Sequence, residues 1–137
     1  MMDIDIRFIK QFLDFVHEAK MSKIDLLVTC TYRSWIEQET LYAQGRTTKG
    51  LIITNAKGGE SPHNCTRNNK PAALALDVVP LVLGKPNWST DGRSLDVWHE
   101  IGDIAINHNL EWGGLWQGAK KDLPHFQIKN WKIENVS

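Results

Sequence analysis

The sequence predicts an α+β fold: a single small domain in which an antiparallel sheet is backed by helices. Segments of helical periodicity alternate with short apolar runs of strand length, in the order helix, strand, helix, strands, helix, strands. The chain has 137 residues, 42% of them apolar. This length is enough for one core and too short for two ordinary domains. We therefore expect one domain over residues 1–137, without linkers or internal repeats.

The first half of the chain alternates between helix and strand signals. Apolar residues at three- and four-residue steps predict an amphipathic helix over about residues 6–20, and residues 26–32 have strand character. Ser34 and Glu37 have the spacing of a capping box, so a second helix should begin there, run to Gln44 and end at Gly45. The short apolar run at residues 51–54 predicts another strand.

The second half begins with a turn-rich stretch. Glycine, asparagine and proline predict a loop over residues 55–71. Residues 74–83 are apolar and β-branched except for Asp77 and Pro80, which predicts a buried strand that contains one carboxylate. A helical stripe covers residues 94–109, and short strand-like pieces broken by glycines follow over residues 111–128.

The charge balance argues against some partners. Sixteen basic residues offset sixteen acidic ones and the pI is near 7.0, so we expect no nucleic acid and no anionic membrane as partner. The first residues are acidic where a signal peptide would be basic. We therefore expect no signal peptide and synthesis in a cytoplasm. In that reducing compartment the two cysteines, Cys30 and Cys65, should be free thiols.

Two His-Glu pairs suggest a metalloprotease helix and fail at the same place. The motif needs a second histidine four residues after the first, and those positions hold Met21 and Asp103. We therefore interpret His17, His99 and His108 as residues of solvated surfaces.

The remaining histidines and one aspartate are better candidates for chemistry. His63 and His125 each follow a proline in turn-forming surroundings, and Asp77 lies inside an apolar strand. A buried carboxylate usually has a cation or several donors against it. Two imidazoles and a carboxylate suit a catalytic zinc, which keeps its fourth position for water. From spacing alone the alternative stays open: a loop histidine, a turn-capping aspartate, and His125 packed beside Phe126.

Four blocks of the sequence match one pattern. They lie at residues 31–47 (TYRS through QGRT), 54–64 (TNA through ESPHN), 75–78 (ALDV) and 110–126 (LEWGGLW with DLPHF). Together they resemble the zinc peptidases that include bacterial D-Ala-D-Ala carboxypeptidases and the L-alanyl-D-glutamate endopeptidases of phage lysis. The last block is the most specific, and its tryptophan-glycine pattern is typical of the endopeptidase branch.

The resemblance implies a zinc site in a cleft. His63, Asp77 and His125 would hold Zn²⁺, and Asp122 would be the general base. Arg33 would face the cleft and hold a developing oxyanion or a substrate carboxylate. The simpler alternatives are a turn-capping role for Asp122 and a surface salt bridge for Arg33.

Further residues are candidates for contact with substrate. Ser61, Gln38 and Thr54 could form hydrogen bonds to it, and Trp112 and Trp116 could line the cleft. A place in the core explains the two tryptophans equally well.

One feature departs from the family pattern. The family places its histidine and aspartate closer in sequence, with a glycine between them, whereas His63 and Asp77 are fourteen positions apart and Ala73 stands at the glycine position. Residues 65–72 resemble an insertion. A longer loop can bulge outward while its ends stay paired, because closure costs only about 0.6 kcal/mol per doubling of length.

The implied function is that of a zinc-dependent peptidoglycan endopeptidase, a phage endolysin that hydrolyses the L-Ala/D-Glu bond of the stem peptide for host lysis. The expected partners are bacterial peptidoglycan and a separate holin-type, membrane-permeabilising protein. We expect a monomer that stays in the host cytoplasm until lysis. The alternatives are a D-Ala-D-Ala carboxypeptidase and a non-catalytic zinc-bearing wall-binding module; the presence of Asp122 and Arg33 argues against the second.

Overall fold

A computed structural model describes residues 3–135. Within this range four α-helices form: α1 Ile9–Met21, α2 Trp35–Ala43, α3 Arg93–Asn107 and α4 Trp131–Asn135. The strands are β1 Leu26–Cys30, β2 Thr66–Arg67, β3 Lys70–Pro71, β4 Ala75–Val82, β5 Lys85–Pro86, β6 Leu110–Trp112 and β7 His125–Ile128. The α+β class is confirmed. No helix in the described range is long and apolar enough to cross a membrane.

The main sheet is antiparallel, with strand order β1-β4-β7-β6, and β5 pairs with the far end of β4. Helices α1 and α3 supply the core that covers it. Phe12 and Phe15 of α1 and Trp98 and Ile101 of α3 are almost fully buried, and the Phe15 ring lies 4.9 Å from that of Phe126 on β7. Burial of these side chains holds the helices against the sheet.

Helix α2 begins as its sequence predicts. The Ser34 side chain accepts a hydrogen bond from the Glu37 amide, and the Glu37 side chain accepts one from the Ser34 amide, which completes a capping box. After the helix, Gly45 adopts a left-handed conformation at φ +81°. The capping box at Ser34 fixes the segment between β1 and α2, which carries Arg33.

The predicted strand at residues 51–54 is wrong. These residues are not in a strand, and Leu51, Ile52 and Ile53 are exposed. Side chains of the preceding segment hold this run, since Gln44 donates its Nε2–H to the Leu51 carbonyl oxygen and Arg46 donates to the Thr54 carbonyl oxygen. An apolar run becomes a strand only where another strand pairs with it, and none of the strands described in residues 3–135 pairs with this run.

The insertion forms a small hairpin of its own, β2–β3. Asn68 and Asn69 at its tip both have positive φ, +53° and +63°, the conformation of a type I′ turn. Its base is closed where the Ala72 amide donates to the Cys65 carbonyl oxygen at 2.9 Å. The inserted segment therefore begins and ends at adjacent positions in the structure.

Candidate active site

The sheet brings three side chains of metal-ligand type into one row. Cys30 on β1 is opposite Asp77 on β4, and Asp77 is opposite His125 on β7. His63 comes from a 3₁₀ turn, Pro62–Asn64, beside them. That turn is fixed by backbone hydrogen bonds, since the Arg33 amide donates to the His63 carbonyl oxygen at 2.9 Å. Residues distant in sequence thus meet at one end of the sheet.

Three potential ligand atoms form a nearly equilateral triangle. His63 Nε2 lies 3.2 Å from Asp77 Oδ1 and 3.3 Å from His125 Nδ1, and His125 Nδ1 lies 3.2 Å from Asp77 Oδ1. Zinc–nitrogen and zinc–oxygen bonds of about 2.0–2.1 Å place the ligand atoms of a tetrahedral site about 3.3 Å apart. The triangle therefore has the size that a zinc ion requires.

In each imidazole, one nitrogen points at the triangle and the other has a hydrogen-bond partner outside it. That outside partner determines which nitrogen carries the proton. His63 Nδ1 lies 2.7 Å from the Thr31 carbonyl oxygen, which can only accept, so Nδ1 carries the proton and Nε2 has a free lone pair. His125 Nε2 in turn donates to Gln127 Oε1 at 2.8 Å, which leaves the lone pair on Nδ1. Two lone pairs and a carboxylate oxygen converge, an arrangement that a cation stabilises.

The electrostatics of the cluster favour positive charge. Burial opposes protonation of His63, but its hydrogen bonds with Asp77 and Cys30 outweigh burial and raise the pKa of His63 to about 9. Burial opposes ionisation of Asp77, but when no metal is bound the imidazoles of His125 and His63 can carry a second proton and donate it to this carboxyl, which lowers its pKa below its usual range. A pocket that attracts a proton this strongly also suits a metal cation.

Cys30 is a further ligand-type residue that sequence reasoning did not select. Its sulfur, with ligand atoms of His63 and Asp77, lies in a group whose members are all within 4.8 Å of one another. The sulfur approaches His63 at Nδ1, at 3.7 Å, which is the nitrogen that already contacts Thr31. His125 Nδ1 instead lies on the side to which Nε2 of His63 points. His125 therefore fits the ligand set better than Cys30.

Asp122 lies on the loop before β7. Its amide donates to the Gly113 carbonyl oxygen at 2.9 Å, and its own carbonyl oxygen accepts from the His125 amide at 3.3 Å. Solvent reaches the side chain, but burial by the surrounding protein, with repulsion from Asp77, raises the pKa of Asp122 despite the opposing charge of His125. A carboxyl with a raised pKa is suited to proton transfer.

Arg33 lies against the cluster. Its Nη2 is 3.8 Å from Asp77 Oδ2, and its Nη1 donates to Gln38 Oε1 at 3.1 Å. About a fifth of the side chain is exposed. The guanidinium therefore places a positive charge beside the candidate ligands, with part of its surface accessible.

Three predicted substrate contacts form hydrogen bonds within the protein. Gln38 is fully buried, and its Nε2 donates to the Ala56 carbonyl oxygen and to Thr54 Oγ1. Thr54 Oγ1 also accepts from the Ala56 amide, and Ser61 Oγ, almost fully buried, accepts from the His63 amide. Gln38 and Ser61 are buried and use these hydrogen bonds within the protein, so both support the site from inside. The half-buried Thr54 stays a prediction as a substrate contact.

The two tryptophans have different locations. Trp112 is 2% exposed, donates from Nε1 to the Leu123 carbonyl oxygen, and lies so close to Gly102 and Gly114 that a Cβ on either would clash with its ring. It belongs to the core, the alternative that the sequence left open. Trp116 is partly exposed and its ring centroid lies 5.2 Å from that of His125. Trp116 alone of the pair is next to the candidate site.

The other histidines lie outside the cluster. His17 and His99 are exposed, as is Asp103, and His108 pairs with Glu18 at 2.9 Å. Gln127, by contrast, belongs to the site, although sequence reasoning did not select it. Its signal was available: a polar residue two positions after His125 in a buried strand faces the same side of the sheet.

Comparisons with known proteins agree with this geometry. Residues 54–128 match the profile of a family described as D-alanyl-D-alanine carboxypeptidase. The peptidoglycan L-alanyl-D-glutamate endopeptidase CwlK of Bacillus subtilis (strain 168) is 37% identical over 126 residues, which cover 88% of this chain and 71% of CwlK.

Solved structures share the fold. The Serratia marcescens L-Ala D-Glu endopeptidase ChiX superposes with a TM-score of 0.56 at 21% identity, over 88% of this chain and 80% of ChiX. The vancomycin-resistance D,D-pentapeptidase VanY, in complex with Zn(II), superposes with a TM-score of 0.63 at 14% identity, over 98% of this chain and 79% of the other. Because the profile spans more than half of the chain and CwlK is similar over most of both proteins, the chain belongs to the D-alanyl-D-alanine carboxypeptidase family of metallopeptidases.

Proposed function

We propose that this protein is a zinc-dependent peptidoglycan endopeptidase that hydrolyses the bond between L-Ala and D-Glu of the stem peptide. The observation that carries the proposal is the triangle of His63, Asp77 and His125, in which two imidazole lone pairs and a carboxylate oxygen converge at 3.2–3.3 Å. The similarity to CwlK supports the choice of bond.

The residues of the triangle fit zinc by their chemistry and by their spacing. His63, Asp77 and His125 would supply three ligand atoms, and Thr31 and Gln127 would hold the two imidazoles in the required tautomers. When bound at such a site, zinc lowers the pKa of a water molecule and polarises a carbonyl group. Removal of the metal with a chelator and its restoration by zinc would test this part of the proposal.

Asp122 would move the proton in this reaction. Its carboxylate would accept a proton from the attacking water and pass it to the departing amine of D-Glu. The raised pKa suits both steps, since the group must first gain and then release a proton near neutral pH. Gly113 accepts a hydrogen bond from the Asp122 amide, so the backbone that carries this carboxylate is held in place.

Arg33 would bind negative charge on the substrate. Its guanidinium is held at one end by Gln38, and Asp77 offsets part of its charge. Such a group can stabilise an oxyanion or bind a carboxylate with two parallel hydrogen bonds. The α-carboxylate of D-Glu is one group of this kind beside the scissile bond.

A D-Ala-D-Ala carboxypeptidase is the second candidate, and the description of the matched family favours it. The products distinguish the two activities. Purified peptidoglycan would be digested, new amino groups labelled, and the labelled residue identified by mass spectrometry. A new D-Glu amino terminus is expected; release of free D-Ala without that terminus would favour the carboxypeptidase.

We also propose the lysin role predicted from the sequence, with release from the host cytoplasm by a separate holin-type protein. The support is chemical, because one cut at the L-Ala/D-Glu bond detaches a whole crosslinked stem from its glycan strand. Expression with and without a membrane-permeabilising protein tests it. Culture turbidity should fall only when both proteins are present.

A further inference from the structure

A groove of about 320 Å³ lies at the free edge of β6, next to the candidate site. Trp116 forms a wall between the two, since its ring packs on His125 and also lines the groove. Most of the lining is apolar, from Ile106, Leu110, Trp112, Leu115 and Trp116. Two charged side chains, Glu111 and Lys129, complete it.

Glu111 faces the same side of the sheet as the candidate ligands. It lies directly opposite Gln127, whose side chain holds His125, whereas its neighbours Leu110 and Trp112 point into the core. Glu111 Oε2 accepts a hydrogen bond from Trp116 Nε1 at 3.0 Å. The hydrogen bonds found within residues 3–135 leave the other carboxylate oxygen, Oε1, available to a ligand.

Lys129 supplies the opposite charge. It is two residues after Gln127, which makes it a diagonal neighbour of Glu111, at a distance of about 7–8 Å between such positions. Its Nζ donates to Asn109 Oδ1 at 3.0 Å, and no ion pair joins it to Glu111 in the part of the chain that the structure describes. The groove therefore presents a negative and a positive side chain, not paired with each other, beside an apolar wall.

The proton path indicates which part of the stem lies here. Asp122 must reach the departing amine of D-Glu, and Gly113, which anchors Asp122, directly follows β6. The stem beyond that amine would then extend over β6. Glu111 is one strand across and two residues along from His125, about 8 Å away. About two residues of extended chain span that distance.

We propose that this groove binds the side chain of the third stem residue, the one after D-Glu, and selects a side chain that ends in both an ammonium and a carboxylate group. The ammonium would pair with Glu111 and the carboxylate with Lys129, while the aliphatic part lies on the apolar wall. This chemistry is that of diaminopimelate rather than lysine. The inference rests on the proposed function, because it assumes cleavage before D-Glu.

The test uses three acetylated substrates, L-Ala-D-Glu followed by diaminopimelate, by lysine or by norleucine, and calorimetry with the three matching D-Glu dipeptides. We expect both kcat/KM and affinity to fall in that order, by about tenfold for each charged group lost. Glu111→Gln should remove the advantage of lysine over norleucine, and Lys129→Gln should remove that of diaminopimelate over lysine. The glutamine at 111 keeps an oxygen for Trp116, so only the charge changes.

Glu100→Gln and Lys85→Gln, at exposed positions outside the groove, serve as matched controls and should leave all ratios unchanged. Equal affinity of the wild-type protein for the three dipeptides would overturn the inference, as would rankings that survive both groove variants. A ranking of the dipeptides without cleavage of the L-Ala/D-Glu bond would support the groove and contradict the proposed function instead.

Discussion

Gly113→Ala should separate the placement of Asp122 from its chemistry. A Cβ at residue 113 would lie 2.5 Å from the Asp122 carbonyl oxygen and 3.2 Å from the Asp122 Cβ. Ordinary contacts begin near 3.4 Å, so the Asp122 backbone must retreat by about 0.9 Å. The φ angle of Gly113 is not in the left-handed region, so the backbone accepts alanine and the clash with Asp122 is the main perturbation.

A shift of this size should lower kcat by about 100-fold, because catalytic groups misplaced by about 1 Å commonly lose that much. Zinc content should stay near one ion per chain. His125 is fixed by its pairing with Asp77 across β4 and β7 and by its hydrogen bond to Gln127. These contacts are independent of the longer 3.3 Å bond from its amide to the Asp122 carbonyl oxygen, which the shift would weaken. Overpacking should also cost about 1–3 kcal/mol of unfolding free energy.

Turbidity loss of permeabilised cells and metal analysis on the same preparation measure the two effects. Gly118→Ala is the control, since no atom lies within 4 Å of its added Cβ and any loss there reports only backbone strain at φ +60°. Full activity in Gly113→Ala would show that the position of Asp122 does not limit catalysis. Loss of zinc together with activity would show that the loop and the ligands move as one unit.

Three further predictions concern the same protein. Asp122→Asn should keep fold and zinc while activity falls by about two to four orders of magnitude; loss of zinc would make Asp122 a ligand. Alanine at any one of the three proposed ligands should remove most of the zinc, measured by metal analysis, and full occupancy would refute that ligand. Asp5 is buried, yet its hydrogen bonds and ion pair with Arg7, and the charge of Arg67, outweigh burial and lower its pKa. Its stabilisation should therefore be present above the ordinary aspartate pKa of about 3.9 and be lost as pH falls through the lowered value. Asp5→Asn should cost about 1–3 kcal/mol at pH 7, and thermal melts should show the deficit shrinking below about pH 4; a deficit independent of pH would contradict the ion-pair explanation.

The sequence predicted the parts of the fold whose signals are local. The apolar stripe of α3, the capping box at Ser34 and the apolar run around Asp77 each specify an element within a few residues. The strand predicted at residues 51–54 does not form, because strand formation depends on a partner elsewhere in the chain. The paired asparagines at the tip of the β2–β3 hairpin are a local turn signal that the loop prediction did not use.

The sequence also indicated part of the candidate site. Asp77 stood out because a carboxylate in an apolar strand is costly without a partner. Gln38 and Ser61 were misassigned because a polar side chain near a site gives the same sequence signal whether it contacts substrate or supports the protein. Only their partners, such as the Ala56 carbonyl oxygen and the His63 amide, distinguish the two roles.

The closed base of the β2–β3 hairpin has a consequence for comparing and modifying such chains. Because Cys65 and Ala72 are joined by a backbone hydrogen bond, the residues between them can change in number without moving His63 or Asp77. The count of residues between the two is then a poor criterion for alignment, and the closure point is a better one. The tip at Asn68 and Asn69 is likewise the natural position for a tag or fluorophore, at a site of tolerated insertion.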